Sequence, residues 1–376
     1  MNIGILTHRL FTNYGGILQN YALQVALIRM GHNPITIDYV IGTPLKIKLL
    51  SVVKRLALIV SQRKRLPIRG WMNNKEACEV SKYTRRFVEN NIITTDEVKL
   101  EKVKWMRNDF DAMIVGSDQV WRYSYMKGHI EEFFLKSFKN VPVKVAYAAS
   151  FGTDYWEMPK KQTEKCKRLI EHFNSISVRE ASGINLCREY LGFDAEMVLD
   201  PTMLLSAEDY ISLVNRTNTP QSRGNLMTYI LDKSIEKKKI IEYVSETLGL
   251  TKIEVLPNKT FSEVGKKGLK QCVVPPIEQW LRGFMDAEFV VTDSFHGMVF
   301  SIIFNKPFWV IANKNRGLDR MASLLKIFNL EDRLLFSSAE LEDKMSVQIN
   351  WNHINDTILT WQNKSYDFLK KGLIGL

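Results

Sequence analysis

Hydrophobic positions in this chain fall into short β-branched runs separated by longer stretches with helical spacing. Residues 2–7 read as a strand, followed by a turn at Asn13-Tyr14-Gly15-Gly16. Leu18, Tyr21, Ala22, Val25 and Ile28 recur every three or four positions, which predicts a helix over 17–30 that Gly31 ends. A second strand is expected at 35–39. More strands follow at 112–115, 143–149, 175–178 and 196–199, with a helix over 179–190 before the last of them. A second block repeats the alternation, with strands at 226–231, 252–256, 288–292 and 307–311 and helices at 234–248, 277–285, 296–304 and 317–328. Strands alternating with helices point to parallel sheets covered on both faces.

The stretch 206–224, with Asn215, Thr217, Asn218, Pro220 and Gly224, reads as a polar connection between two units. The expected organisation is an N-terminal Rossmann-like domain over 1–210, a C-terminal one over 222–350, and a terminal helix over 351–376 that packs back on the first. A length of 376 residues agrees, being too long for one compact core. Two doubly wound domains facing each other make an α/β, GT-B-like architecture.

Composition narrows the class. Hydrophobic residues at 45% and charged residues at 25% describe a globular chain. The four cysteines, Cys78, Cys166, Cys187 and Cys272, lie far apart, and the six histidines form no ligand cluster, so neither a disulfide framework nor a metal site is expected. The start, Met1-Asn2-Ile3-Gly4-Ile5-Leu6, has the pattern of a strand and not of a signal peptide. No uncharged apolar run approaches the ~20 residues that span a bilayer. The expected location is the cytoplasm, with the inner face of the cytoplasmic membrane as a possible site of action.

Net charge is +11, and its distribution matters more than its size. No acidic residue lies between Asp38 and Glu76. The segment 44–70 within that gap carries Lys46, Lys48, Lys54, Arg55, Arg63, Lys64, Arg65 and Arg69 among Leu49, Leu50, Val53, Leu56 and Leu58. Such a segment suits either an anionic membrane surface or a helix that covers the first domain and keeps its charges in water. Few aromatics stand among these cations and no nucleic-acid motif is present, so nucleic acid is not an expected partner.

Candidate chemistry lies at the ends of the expected strands. Thr292-Asp293-Ser294-Phe295-His296-Gly297 joins a strand to a buried helix, where free backbone N–H groups attract anions and Ser294 can cap. His296 can donate a proton to an anion there or hydrogen-bond it. Lys314, Arg316 and Arg320 follow the strand at 307–311 and could bind a carboxylate or phosphate. Gly116-Ser117-Asp118-Gln119-Val120-Trp121 offers a carboxylate, an amide and an aromatic face, as a sugar site needs. Asp118 could deprotonate a hydroxyl, or simply close a turn. Arg179 could hold a carboxylate, or pair with Glu180 at the surface. The Gly15-Gly16 turn lacks the full dinucleotide fingerprint.

The order of these segments resembles the polysaccharide pyruvyl transferase family. The matching pieces are Asn13-Tyr14-Gly15-Gly16-x-Leu18-Gln19-x-Tyr21-Ala22-Leu23, Gly116–Trp121, Ala146–Gly152, Ser177-Val178-Arg179-Glu180, Asp200-Pro201-Thr202 and Thr292–Gly297. The resemblance implies two Rossmann-like domains and phosphoenolpyruvate as co-substrate, with no further cofactor. It implies transfer of pyruvate as a ketal onto two hydroxyls of a hexose in a surface polysaccharide or its lipid-linked precursor. His296 and Asp118 would be catalytic. Arg179 from the N-terminal half and Ser294, His296, Gly297, Lys314, Arg316 and Arg320 from the C-terminal half would bind the donor. Asn13, Gly15, Gly16, Gln19, Ser117, Gln119 and Trp121 would bind the acceptor in the N-terminal half. Many relatives carry an arginine two residues before the histidine; Ser294 stands there in this chain, so another cation must serve. The alternatives are a GT-B-type glycosyltransferase with a nucleotide-sugar donor and a non-catalytic protein that binds a glycan or a membrane surface.

Overall fold

The structure, a computed structural model, describes residues 1–42, 45–62, 67, 69–105, 110–126, 128–313, 316–344 and 348–374. In the first half β1 (Asn2–Leu6), β2 (Asn33–Thr36), β3 (Ala112–Val115), β4 (Val143–Ala149), β5 (Ser175–Val178) and β6 (Glu196–Met197) form a parallel sheet of order β2-β1-β3-β4-β5-β6. In the second, β7 (Leu226–Tyr229), β8 (Lys252–Glu254), β9 (Phe289–Thr292), β10 (Phe308–Ile311) and β11 (Leu334–Leu335) form a parallel sheet of order β8-β7-β9-β10-β11.

In both sheets the chain steps outward once and then returns past its first strand. The reversal opens a crevice at the C-terminal strand ends, where open α/β sheets bind ligands. Leu6 lies beside Val115 in the first sheet and Tyr229 beside Thr292 in the second. The residues that follow those four therefore face each other across the two crevices. Every residue of β3, β7, β9 and β10 is buried. With both sheet faces covered, such strands are apolar runs without alternation, which is what made them legible.

The helices used below are α1 (Tyr14–Arg29), α2 (Leu45–Gln62), α3 (Ala181–Leu186), α4 (Ala207–Arg216), α5 (Ile235–Leu248), α6 (Ile277–Asp286), α7 (Phe295–Ile303), α8 (Leu318–Ile327) and α9 (Trp351–Ile374). Three expectations need correction. The second strand stops at Thr36, and Tyr39–Val40 pairs instead with Val98–Lys99 in a separate two-stranded ribbon. The helix expected from residue 179 begins at Ala181, because Glu180 stays extended at φ −118° and ψ 146°. The polar connection at 206–224 contains α4, whose Tyr210, Leu213 and Val214 are buried. Ser206 and Asp209 cap that helix reciprocally, a device worth about 1 kcal/mol whose polar residues look like a loop by composition.

The two halves share a core. Tyr14 of α1 packs on Trp280 of α6 at 5.5 Å between ring centroids, and its hydroxyl donates to the carbonyls of Pro275 at 2.8 Å and Val255 at 3.2 Å. Ala181 N–H donates to Ser323 Oγ at 3.1 Å, and the Ser182 hydroxyl donates to Asp319. The end of α9 lays Phe368, Leu369 and Leu373 against Ile3, Ile5, Ile114 and Val145 of the first sheet. These contacts hold the C-terminal edges of both sheets at one junction.

Candidate active site at the junction of the two sheets

The second crevice is built by a tight turn after β9. Thr292 Oγ1 donates to the Tyr229 carbonyl at 2.7 Å and accepts the Ser294 N–H at 3.1 Å. Ser294 caps α7, its Oγ accepting the Gly297 N–H at 3.5 Å. A Cβ on Gly297 would lie 2.1 Å from Thr292 Oγ1, so the motif needs glycine there. Asp293 turns away from the junction. Its Oδ1 accepts the Leu231 N–H at 2.7 Å, and its Oδ2 accepts Lys237 Nζ at 2.6 Å and Asn313 Nδ2 at 3.1 Å. The adjacent Asp232 accepts Arg316 through Nε at 2.9 Å and Nη2 at 2.8 Å. Arg316, expected to bind the donor, is thus held by a carboxylate of its own chain. Lys314 lies outside the described residues.

Phe295 and His296 reach toward the first half. There Asp118 adopts φ 72°, a backbone region that non-glycine residues seldom occupy. Its Oδ1 accepts Arg179 Nη2 at 2.9 Å and the Gln119 N–H at 2.9 Å, with Arg320 Nη1 3.6 Å away. Arg179 Nη1 donates to Asp200 Oδ2 at 2.7 Å. Asp200 Oδ1 accepts the Thr202 N–H at 3.0 Å and its hydroxyl at 2.6 Å. His296 Nε2 stands 3.7 Å from Asp200 Oδ2. The Phe295 ring packs against both guanidinium groups, 4.8 Å from that of Arg179 and 5.2 Å from that of Arg320.

All of these side chains are buried. Burial alone would raise both Asp carboxyls. For Asp118 the charges of Arg179, His8, His296 and Arg320 outweigh it, and for Asp200 those of His296 and Arg179 do, so both stay well below the usual carboxylate range. Burial and the neighbouring Arg179 push Arg320 down to about 10, which leaves it charged at neutral pH. Burial raises Glu180 against the pull of Arg179 and Arg320, while its Oε1 accepts the Phe151 N–H at 2.8 Å and the Ser150 hydroxyl at 2.9 Å. Four buried polar atoms of this cluster have no hydrogen-bond partner: Arg179 Nε, Arg320 Nε, His296 Nε2 and Glu180 Oε2. Buried polar groups in folded proteins are normally paired, so such a concentration marks a place built to meet something else.

The residues expected to contact an acceptor are arranged differently from that expectation. Gln19 is fully buried; its Nε2 donates to Thr7 Oγ1 and the Gly16 carbonyl, both at 2.9 Å, and its Oε1 accepts the Ser117 N–H at 3.0 Å. Ser117 donates its hydroxyl to the Ala148 carbonyl at 2.9 Å. Trp121 stacks on Phe134 at 5.0 Å and donates Nε1 to the Phe133 carbonyl at 2.9 Å, so no ring face is left for a sugar. These three residues support the crevice from behind. Gln119 Oε1 accepts Arg122 Nη1 at 2.9 Å. Asn13 is exposed at the start of α1, and a Cβ on Gly16 would lie 3.0 Å from its Nδ2. Gly15 has a sharper role: a Cβ there would lie 2.0 Å from His296 Nδ1. The glycine lets α1 of one half seat the histidine of the other.

Three participants escaped the sequence reading. His8 follows β1 at the first crevice and is half-buried, with burial holding it below its ordinary pKa against the opposing pull of the Asp118 carboxylate. Its place just beyond a strand end was the available signal. Asp200 looked like the end of a strand and is the second carboxylate on Arg179. Phe295, given no role of its own within Thr292–Gly297, packs against both arginines.

The sequence matches the family model "Polysaccharide pyruvyl transferase" over residues 13–315. Among curated proteins nothing matches it. Solved structures with a similar outline include a UDP-N-acetylglucosamine 2-epimerase from Rickettsia bellii, at 10% identity and TM-score 0.48 over 98% of this chain and 96% of that one. The wall teichoic acid polymerase TagF gives 10% identity and TM-score 0.42 over 98% and 83%. At such values these likenesses assign no activity. The family match spans most of the chain and takes in four of the five charged residues gathered at the junction: the chain belongs to the polysaccharide pyruvyl transferase family.

Proposed function

We propose that this transferase moves the pyruvyl group of phosphoenolpyruvate onto two hydroxyls of a hexose, in a surface polysaccharide or its lipid-linked precursor, and releases phosphate. The observation that carries this reading is the pair of buried arginines, each with an unpartnered Nε, beside the unpartnered His296 Nε2. Phosphoenolpyruvate brings a carboxylate and a phosphate, and arginine forks suit both. Arg320, stacked on Phe295 one residue after Ser294, supplies the cation that many relatives carry at that serine.

Protonation of the donor's methylene carbon gives a cationic centre at C2, which one sugar hydroxyl attacks. Phosphate leaves from C2 and the second hydroxyl closes the ketal. Of the two hydroxyl protons released, one balances the new methyl group and the other leaves with phosphate. His296 moves the proton at the donor. Asp118 is a poor base for the acceptor, because its carboxylate is committed to Arg179; its part is to aim that arginine. His8, which burial holds below its ordinary pKa beside Asp118, is the candidate base in its place.

Phosphoenolpyruvate should raise the melting temperature, by linkage worth about 2.7 kcal/mol at a hundred times its Kd, and lipid-linked or aryl hexosides should then trigger phosphate release. A shift with a uridine nucleotide instead would favour a nucleotide-sugar glycosyltransferase. Absence of both phosphoenolpyruvate binding and phosphate release overturns the proposal.

Gly15→Ala tests the histidine's seat. The added methyl must displace the His296 ring or the start of α1. Turnover should drop by about 10²-fold, the cost of moving a reacting group by roughly 1 Å. Unchanged turnover would show that the ring works equally well elsewhere.

A further inference from the structure

Helix α2 presents an apolar face that is exposed among the described residues. Leu49, Leu50, Val53 and Leu56 are 58%, 68%, 65% and 44% exposed. Their spacing places all four on one side of the helix, with Ala57 among them and Lys54 at the margin. The opposite side holds the helix down: Arg55 donates through Nη1 to the Pro67 carbonyl at 2.8 Å and through Nη2 to the Ser262 carbonyl at 2.8 Å. Among the described residues no helix is long and apolar enough to cross a membrane.

The sequence around α2 is basic, and a second basic stretch lies on the side where Arg55 anchors the helix. The first carries Lys46, Lys48, Arg63, Lys64 and Arg65, with no acidic residue from 39 to 75. Far away in sequence, Lys266, Lys267 and Lys270 are exposed on the turn that follows Gly265. Pro67 lies against Gly265, at 2.7 Å from where its Cβ would be, which brings that turn beside the end of α2.

We infer that α2 is a docking face for an anionic lipid bilayer, lying in the headgroup layer with its leucines inward. An exposed apolar helix face in a segment rich in lysine and arginine and free of carboxylates matches a surface that is oily below and negatively charged above. A second copy of this chain is the weaker occupant, because it would set the same cations against themselves. The face would hold the enzyme where a lipid-linked hexose is offered. That advantage rests on the transfer proposed above; the docking itself needs no turnover.

The test uses the full chain and co-sedimentation with vesicles of phosphatidylcholine alone or mixed equally with phosphatidylglycerol. Binding should require phosphatidylglycerol and weaken as salt rises. Leu50→Glu combined with Val53→Glu should weaken it by roughly tenfold or more, while the melting temperature and its response to phosphoenolpyruvate stay unchanged. Equal binding to both vesicles, or undiminished binding by the double variant, overturns the inference. So does a wild-type dimer that becomes monomeric in the double variant with no change in vesicle binding.

Discussion

Arg179→Met should cost about 3–5 kcal/mol of unfolding free energy at pH 7, among the largest effects of any single substitution in this chain. The methionine keeps the packed stem and removes only the guanidinium. Asp118 and Asp200 would then be buried with their closest cation gone, since Arg179 holds them at 2.9 and 2.7 Å. The pH dependence identifies the cause. In the wild type both carboxyls are depressed. The stability they add is therefore present above the ordinary carboxylate pKa of about 3.9 and is lost as pH falls through their lower folded values. In the variant, burial works with less opposition and favours their protonated forms. Protonation relieves the variant as pH falls, so the gap between the two proteins is widest at neutral pH and narrows toward pH 4. Urea unfolding across that range measures it. A loss under about 1 kcal/mol, typical of an exposed pair, would mean that Arg179 does not neutralise these carboxylates. Arg179→Lys should recover only part of the loss, because a single ammonium cannot imitate a fork that bonds two carboxylates on different strands' ends.

The strands and the strand-to-helix turn at Thr292–Gly297 were legible because their causes are local: unbroken apolar runs, a serine cap and a glycine under a threonine. The junction was not, because it joins residues 118, 179, 200, 296 and 320 through five separate chain segments. Arg179 and Glu180 illustrate the difficulty. From sequence, Arg179 is expected to hold a donor carboxylate, with a surface pair to the neighbouring Glu180 as the alternative. The backbone through them is extended, which sends successive side chains in opposite directions. Arg179 meets Asp118 and Asp200, while Glu180 is held by Ser150 and the N–H groups of Phe151 and Gly152. Trp121 misled for a related reason. It follows a polar Ser-Asp-Gln run, yet with Val120 it forms the apolar end of that loop and is buried. Nothing in the order of the letters separates a tryptophan that faces a ligand from one that anchors the loop carrying it.

His296 is the residue on which the proposed chemistry depends most. His296→Asn retains a polar group near the ring's Nδ1 but has no proton to exchange at neutral pH; His296→Ala removes both. If the imidazole moves the proton, each variant should lose about 10²–10⁴-fold in kcat, the usual worth of a placed acid or base. If it only binds the donor, asparagine should retain kcat and raise KM, because uniform binding is lost without a change in the chemical step. The unfolding free energy separates either result from collapse of the site. The ring sits over Gly15 and against Phe295, with Nε2 3.7 Å from Asp200 Oδ2, so its loss removes packing and part of what holds the Asp200 pKa down, while the hydrogen bonds of Arg179 remain. Deuterium from heavy water offers a second readout, since the proton added to the donor's methylene carbon remains in the product's methyl group. In both variants its incorporation should slow in step with phosphate release. Full turnover in His296→Ala would remove the histidine from the mechanism and leave the two arginines as binding groups for a proton donor elsewhere, with Glu180, buried beside them and raised toward its protonated form, as the next residue to replace.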